Sequence, residues 1–171
     1  APEGSRHLQA KVAKPANTRA TVQTGGDEDP RAIATRSALV DAAERLIGLH
    51  GVNAVSMRAV GAEIGSANPA VVGYHFGGRD ALVDAVIRDR MAWIEARRQA
   101  LLAGLDECAE PADLSALVEA LFRPLFDLVD ADGQHRYAAF LAGLQRHDSL
   151  AGRAGMRAEF PVTDALTDRI I

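Results

Sequence analysis

The sequence holds one cysteine, Cys108, one tryptophan, Trp93, and two lysines, Lys11 and Lys14. A single thiol cannot build a disulfide framework or a cysteine-based zinc site, and it fits a reducing compartment. Cys108 has no adjacent basic cluster and is followed by Glu110, so it reads as an inert thiol. No apolar run approaches the roughly 20 residues that cross a bilayer, so no membrane partner is expected. The chain does not open on the short apolar stretch of a secretory signal, which makes the cytoplasm the expected location. No serine, histidine and carboxylate combination carries a nucleophile motif, and no glycine-rich loop follows a strand. Neither an enzyme nor a cofactor is therefore expected. His135 and His147 with Asp148 are widely spaced and lack a third imidazole, so no metal site is expected.

What is present suffices for a folded chain. Of 171 residues, 48% are hydrophobic and 25% charged, enough apolar side chains to offset ordering entropy in one sizeable core. The net charge of -4 is unevenly placed. Residues 1–30 are balanced, residues 31–80 carry a slight excess of arginine, and the acid excess lies from Ala81 onward. An acidic lobe joined to a nearly neutral one fits docking on an anionic partner by one end.

Residues 1–30 show no sustained apolar period and contain Pro2, Pro15, Gly25-Gly26 and an acidic cluster, the pattern of a disordered tail. From Thr35 the pattern turns helical. Leu39, Ala43, Leu46, Ile47 and His50 recur at three- and four-residue spacing between Thr35, an N-cap candidate, and Gly51. Ser56 can cap a short second helix bearing Met57, Val60 and Ile64. Asn68-Pro69 can open a third, through Val72 and Phe76 to Gly77-Gly78. A long helix is expected from Arg79 to about Gly104. An apolar stripe runs from Leu114 to Val129, with Pro124 inside it expected to kink the helix. Two further helices are expected around Tyr137–Leu144 and Phe160–Ile170. Strand-like alternation is absent, so the fold class is all-α.

Three short helices within about fifty residues, the last two joined by a tight glycine turn, have the layout of a helix-turn-helix unit. Val72 and Phe76 would face its core, leaving Ala70, Val71, Gly73, Tyr74 and His75 outward or flanking.

The stretch Thr35–Ile87, including SMRAVGAEIGSANPAVVGYHFGGRDALVDAVI, resembles the DNA-binding domain of the tetracycline-repressor (TetR) family of bacterial transcriptional regulators. The resemblance rests on the small-apolar first helix ending at Gly51, the Ser/Thr start of the second, Tyr74-His75-Phe76, and the entry Arg79-Asp80-Ala81-Leu82. It implies that Thr35 and Arg36 approach the DNA backbone and that Ser56 and Arg58 hold phosphates. It also implies that Asn68, Ala70 and Val71 face bases, that Tyr74 and His75 grip phosphate, and that Arg79 clamps another. The turn before the third helix is one residue longer than the common family pattern, and Pro69 and Gly73 replace polar or aromatic residues. The recognition face has no arginine or lysine to read guanine. Specificity is therefore expected to rest on Asn68, DNA shape and half-site spacing.

The expected organisation is a tail (1–30), a helix-turn-helix domain (31–80) and a helical regulatory domain (81–171). The resemblance implies a homodimer on a palindromic operator in double-stranded DNA, acting as a repressor. Family members dimerise through helices near the C-terminus, which makes 81–171 look short. The candidates for lining an apolar effector site are Met91, Trp93, Phe122, Phe126, Phe140 and Leu144, with Arg97, Arg123 and Tyr137 as polar anchors. The competing reading is a helical ligand-binding or interaction module that keeps the motif without sequence-specific DNA binding.

Overall fold

The computed structural model describes residues 29–107, 112–145 and 151–171. Cys108, His147, Asp148 and the tail before Asp29 lie outside the described residues. Among the described residues there are seven α-helices, one 3-10 segment and no strand, so the all-α expectation holds.

Helix α1 runs Pro30–His50. It begins five residues before Thr35, because Asp29 Oδ1 accepts the Arg31 N–H at 3.0 Å and Pro30 supplies a ready-made first helical position. Thr35 is consequently inside the helix, its hydroxyl donating back to the Arg31 carbonyl at 2.8 Å. Gly51, at φ 84°, ends the helix by donating to the Ile47 carbonyl. Helix α2 (Met57–Glu63) starts on the expected cap: Ser56 Oγ accepts the Ala59 N–H at 3.1 Å.

The turn into α3 differs from expectation. Asn68 does not cap a helix beginning at Pro69; its Oδ1 accepts the Ala70 N–H at 2.9 Å, while Ser66 Oγ accepts the Asn68 N–H at 3.2 Å. Asn favours this side-chain-to-backbone turn, and Pro69 fixes its φ. Helix α3 is thereby reduced to Val71–Phe76 and ends at Gly77, φ 80°.

Helix α4 (Arg79–Asp106) is the long rod expected, about 42 Å at 1.5 Å per residue. Helix α5 (Leu114–Asp127) is capped by Asp113 and continues through Pro124 to Asp127. Helix α6 spans Arg136–Gln145, and after the 3-10 segment Ala151–Glu159 comes α7, Pro161–Ile170.

One apolar core joins α1–α4 and α6, with Leu39, Ile47, Val60, Val72, Leu82, Val86, Ile94, Tyr137, Phe140 and Leu144 at its centre. A smaller core of Leu117, Ala120 and Leu166 holds α5 and α7 against the end of α4. Helix α6 lies along α1 more extensively than any other pair packs. Gly48 and Gly143 make that approach possible, since a Cβ on Gly143 would fall 2.5 Å from the Ile47 carbonyl oxygen.

Two arginines lock α4 in place. Arg90 reaches α1, donating to both oxygens of buried Glu44 at 2.6 and 3.1 Å and to Asp41 at 2.7 Å. Arg98, itself buried, donates twice to the Leu121 carbonyl of α5 (3.0 and 2.7 Å) and once to Thr163 Oγ1 of α7 (2.5 Å). Burial pulls its pKa below the usual arginine value, with Glu95 opposing that shift. Glu95 also receives the Val162 and Thr163 N–H groups and so caps α7. Pro124 cannot donate to the Ala120 carbonyl, and Arg98 meets the next carbonyl along.

Candidate nucleic-acid interface

The first three helices form a head whose core is shared with α4. On α3, Val71 and Val72 are buried, while Gly73 and Tyr74 are exposed, as are the flanking Ala70 and Gly77. Gly73 and Tyr74 follow Ala70 at the i+3 and i+4 spacing of one helix face. The outward surface is therefore a methyl, a stretch of bare backbone and a phenol. Tyr74 is 83% exposed, and its ring meets His75 edge-on with centroids 5.0 Å apart. His75 is half-buried.

Val71 departs from the expectation that it faces bases. It is only 7% exposed, and its Cγ1 lies 2.8 Å from where a Cβ on Gly61 would stand. Glycine at 61 lets α2 and α3 close on each other, and Val71 fills the contact. The other expected positions lie at the surface of the head. Ser56, Arg58, Asn68 and Ala70 are exposed, and Thr35 is half-buried. Arg79 is half-buried, its Nη1 donating to the Val52 carbonyl at 3.0 Å. Arg36 crosses from α1 to α3: its Nη1 donates to the His75 carbonyl at 2.7 Å and its guanidinium carbon sits 4.3 Å from the centre of the Phe76 ring. Sequence spacing carries no signal for that contact, because 39 residues separate the partners.

The sequence of this head has counterparts among known proteins. Residues 39–86 match the family described as bacterial regulatory proteins, tetR family. The head is a TetR-family domain. It is also similar to the HTH-type transcriptional regulator BetI of Rhizobium meliloti (strain 1021), with 32% identity over 116 residues. That match covers 67% of this chain and 54% of the relative, so the chain spans about half the length of the curated relative it matches.

The expected effector cluster is not assembled. Tyr137, Phe140 and Leu144 are buried in the main core, where the Tyr137 and Phe140 rings stack 5.8 Å apart and burial raises the Tyr137 pKa. Trp93 is half-buried against the same core. Phe122 and Phe126 face away from it, on the side of α5 opposite Leu117, Ala120 and Pro124. Arg97 is 3.6 Å from Asp127, and Arg123 bonds Glu119 on its own helix. Helical periodicity accounts for this: positions 122 and 126 share a face with 114, 118 and 129, all exposed apolar residues of one stripe.

Of the proposed lining residues, Met91 borders a cavity. A groove of about 440 Å³ runs between α4 and the start of α7, walled by Met91, Ala92 and Ala96 on one side and Phe160, Pro161 and Val162 on the other. Arg88 and Glu159 close one end through two hydrogen bonds of 2.7 and 3.0 Å, and Arg88 holds the Glu159 carboxyl below the usual carboxylate range. Among the described residues no helix is long and apolar enough to cross a membrane, and no cluster of His, Cys, Asp and Glu is arranged to hold a metal.

Proposed function

We propose that the chain regulates transcription by binding duplex DNA through the exposed stripe of α3, as a homodimer on a palindromic operator, and that it acts as a repressor released by a small, mainly apolar effector. The observation that carries this reading is the two-sidedness of α3. Val71 and Val72 fix one side in the head, leaving Tyr74 exposed on the other. A protruding phenol combines apolar contact area with a hydroxyl suited to a phosphate oxygen. Arg58 and Ser56 stand exposed at the start of α2, where phosphate contacts would hold the head in register.

Base reading is narrow on this surface. With Val71 buried and Asn68 Oδ1 engaged by Ala70, DNA shape and half-site spacing carry most of the discrimination. For the effector, the groove between α4 and α7 has the volume of a small-molecule site, about 300–1,000 Å³. Its floor is the helix that Arg90 ties to the head. A ligand that favours one placement of α4 would shift DNA affinity by its difference in affinity for the two states.

The test is selection of bound duplexes from a random pool by the purified chain. The expected product is a palindrome with half-site centres about 34 Å apart, bound with an affinity that falls steeply as salt rises. A pool that stays random, with binding indifferent to salt, would overturn the reading and favour a helical interaction module. With the selected duplex in hand, a panel of hydrophobic compounds is expected to yield at least one that raises the melting temperature and releases DNA. Melting and release both unmoved across the panel would remove the apolar-effector half of the proposal.

A further inference from the structure

Helix α3 has six residues, far short of the roughly 12–15 at which a helix begins to hold itself in water. Its two buried side chains, Val71 and Val72, both lie in its first turn. Tyr74 and His75, the side chains with most to offer a nucleic acid, lie in its last turn, where backbone carbonyls have no partner farther along the helix. Gly77 donates to the Gly73 carbonyl. The His75 carbonyl is met from outside, by Arg36.

We propose that Arg36 is a positioning residue for the recognition helix: it fixes the last turn of α3, and with it the direction of Tyr74 and His75, rather than gripping phosphate itself. This rests on the DNA-binding reading of α3. The geometry uses two properties of guanidinium together. Its N–H donates to the His75 carbonyl at 2.7 Å, adding positive charge at the negative end of the helix. Its flat face covers the Phe76 ring at 4.3 Å, a cation–π arrangement that fixes the plane of the fork. Lysine keeps the charge but has neither the plane nor the fork, so it cannot reproduce both contacts.

The test compares Arg36→Lys and Arg36→Gln with Arg58→Gln. In the free chain, amide exchange at Tyr74 and Gly77 is expected to accelerate on the order of tenfold in both Arg36 variants, the loss of one charge-assisted hydrogen bond, with Val60 in α2 unchanged. On the duplex selected by the wild type, both variants are expected to bind about tenfold more weakly while keeping the wild-type dependence of log K on log salt. Arg58→Gln, as the loss of a phosphate contact, should instead reduce that slope by about 0.9 for each protomer. Wild-type exchange and affinity in Arg36→Lys would overturn the proposal. So would a slope reduced in Arg36→Gln with exchange unchanged, which would make Arg36 a phosphate contact. Should the wild type select no duplex, the DNA-binding reading fails by itself. The exchange measurement still decides whether Arg36 holds α3.

Discussion

Replacing Gly143 with alanine is expected to destabilise the chain by about 1–3 kcal/mol, the range for overpacking a filled site. At this chain length the loss corresponds to a melting temperature lower by roughly 2–12 °C. The added Cβ would stand 2.5 Å from the Ile47 carbonyl oxygen and 3.2 Å from the carbonyl carbon. Both are backbone atoms of α1, so no side-chain rotation can relieve the overlap, and α6 must move away from α1. Alanine's better helix propensity, worth up to about 1 kcal/mol, opposes the loss but does not reverse it. Gly104→Ala in α4 supplies the control, because its Cβ would meet nothing within 4 Å. There propensity acts alone, and the melting temperature should rise. Equal gains in both variants, measured by calorimetry, would mean that α1 and α6 do not pack this closely.

The second large effect is expected at Arg98. Arg98→Met removes three donated hydrogen bonds from a buried site and leaves the Leu121 carbonyl and Glu95 without their cationic partner. Breaking a buried charged pair from one side costs about 3–5 kcal/mol, because the remaining group stays desolvated. Arg98→Lys should recover little, since one ammonium cannot reproduce the fork that spans α5 and α7. Adding Glu95→Gln to Arg98→Met should cost less than the two single changes together, because the stranded charge is gone. Urea denaturation of the four variants measures this directly. A loss below about 1 kcal/mol for Arg98→Met would show that the buried cation is no better than an apolar replacement.

Much of this arrangement can be read from local signals, and the departures have local causes too. Gly51 and Gly77, the Ser56 cap and the 3.6-residue periods of α4 and α6 are legible because each depends on residues within one or two turns. The start of α1 is hard to place because its Asp29-Pro30 start signal closes an acidic, irregular stretch and the first buried apolar side chain, Leu39, comes nine residues after Pro30. Val71 reads as outward because Ala70, Val71, Gly73 and Tyr74 are all small or ambiguous. Only its contact over Gly61 decides the matter.

Helix α5 illustrates a different limit. Leu114, Leu117, Val118, Leu121, Phe122, Leu125 and Phe126, with Val129 just past its end, spread apolar character over about half of its circumference. Periodicity reveals the helix, but its neighbours determine which side is buried. Leu117 turns inward and Phe126 remains 61% exposed. The candidate DNA surface is legible in its exposed members. The Arg36–His75 and Arg98–Leu121 contacts, 39 and 23 residues apart, are not, since nothing in either segment specifies the other.

The sharing of one core between the head and α4 limits how the molecule can be divided. A fragment excised at Gly78 would lose Leu82, Val83, Val86 and Ile87, all buried. At about 1.5–3 kcal/mol for each fully buried side chain, that is roughly 6–12 kcal/mol of apolar burial, comparable with the whole stability of a small domain. It would also strand Glu44, whose cation Arg90 stands three turns into the rod. An autonomous head therefore has to carry the rod with it, at least as far as Arg90.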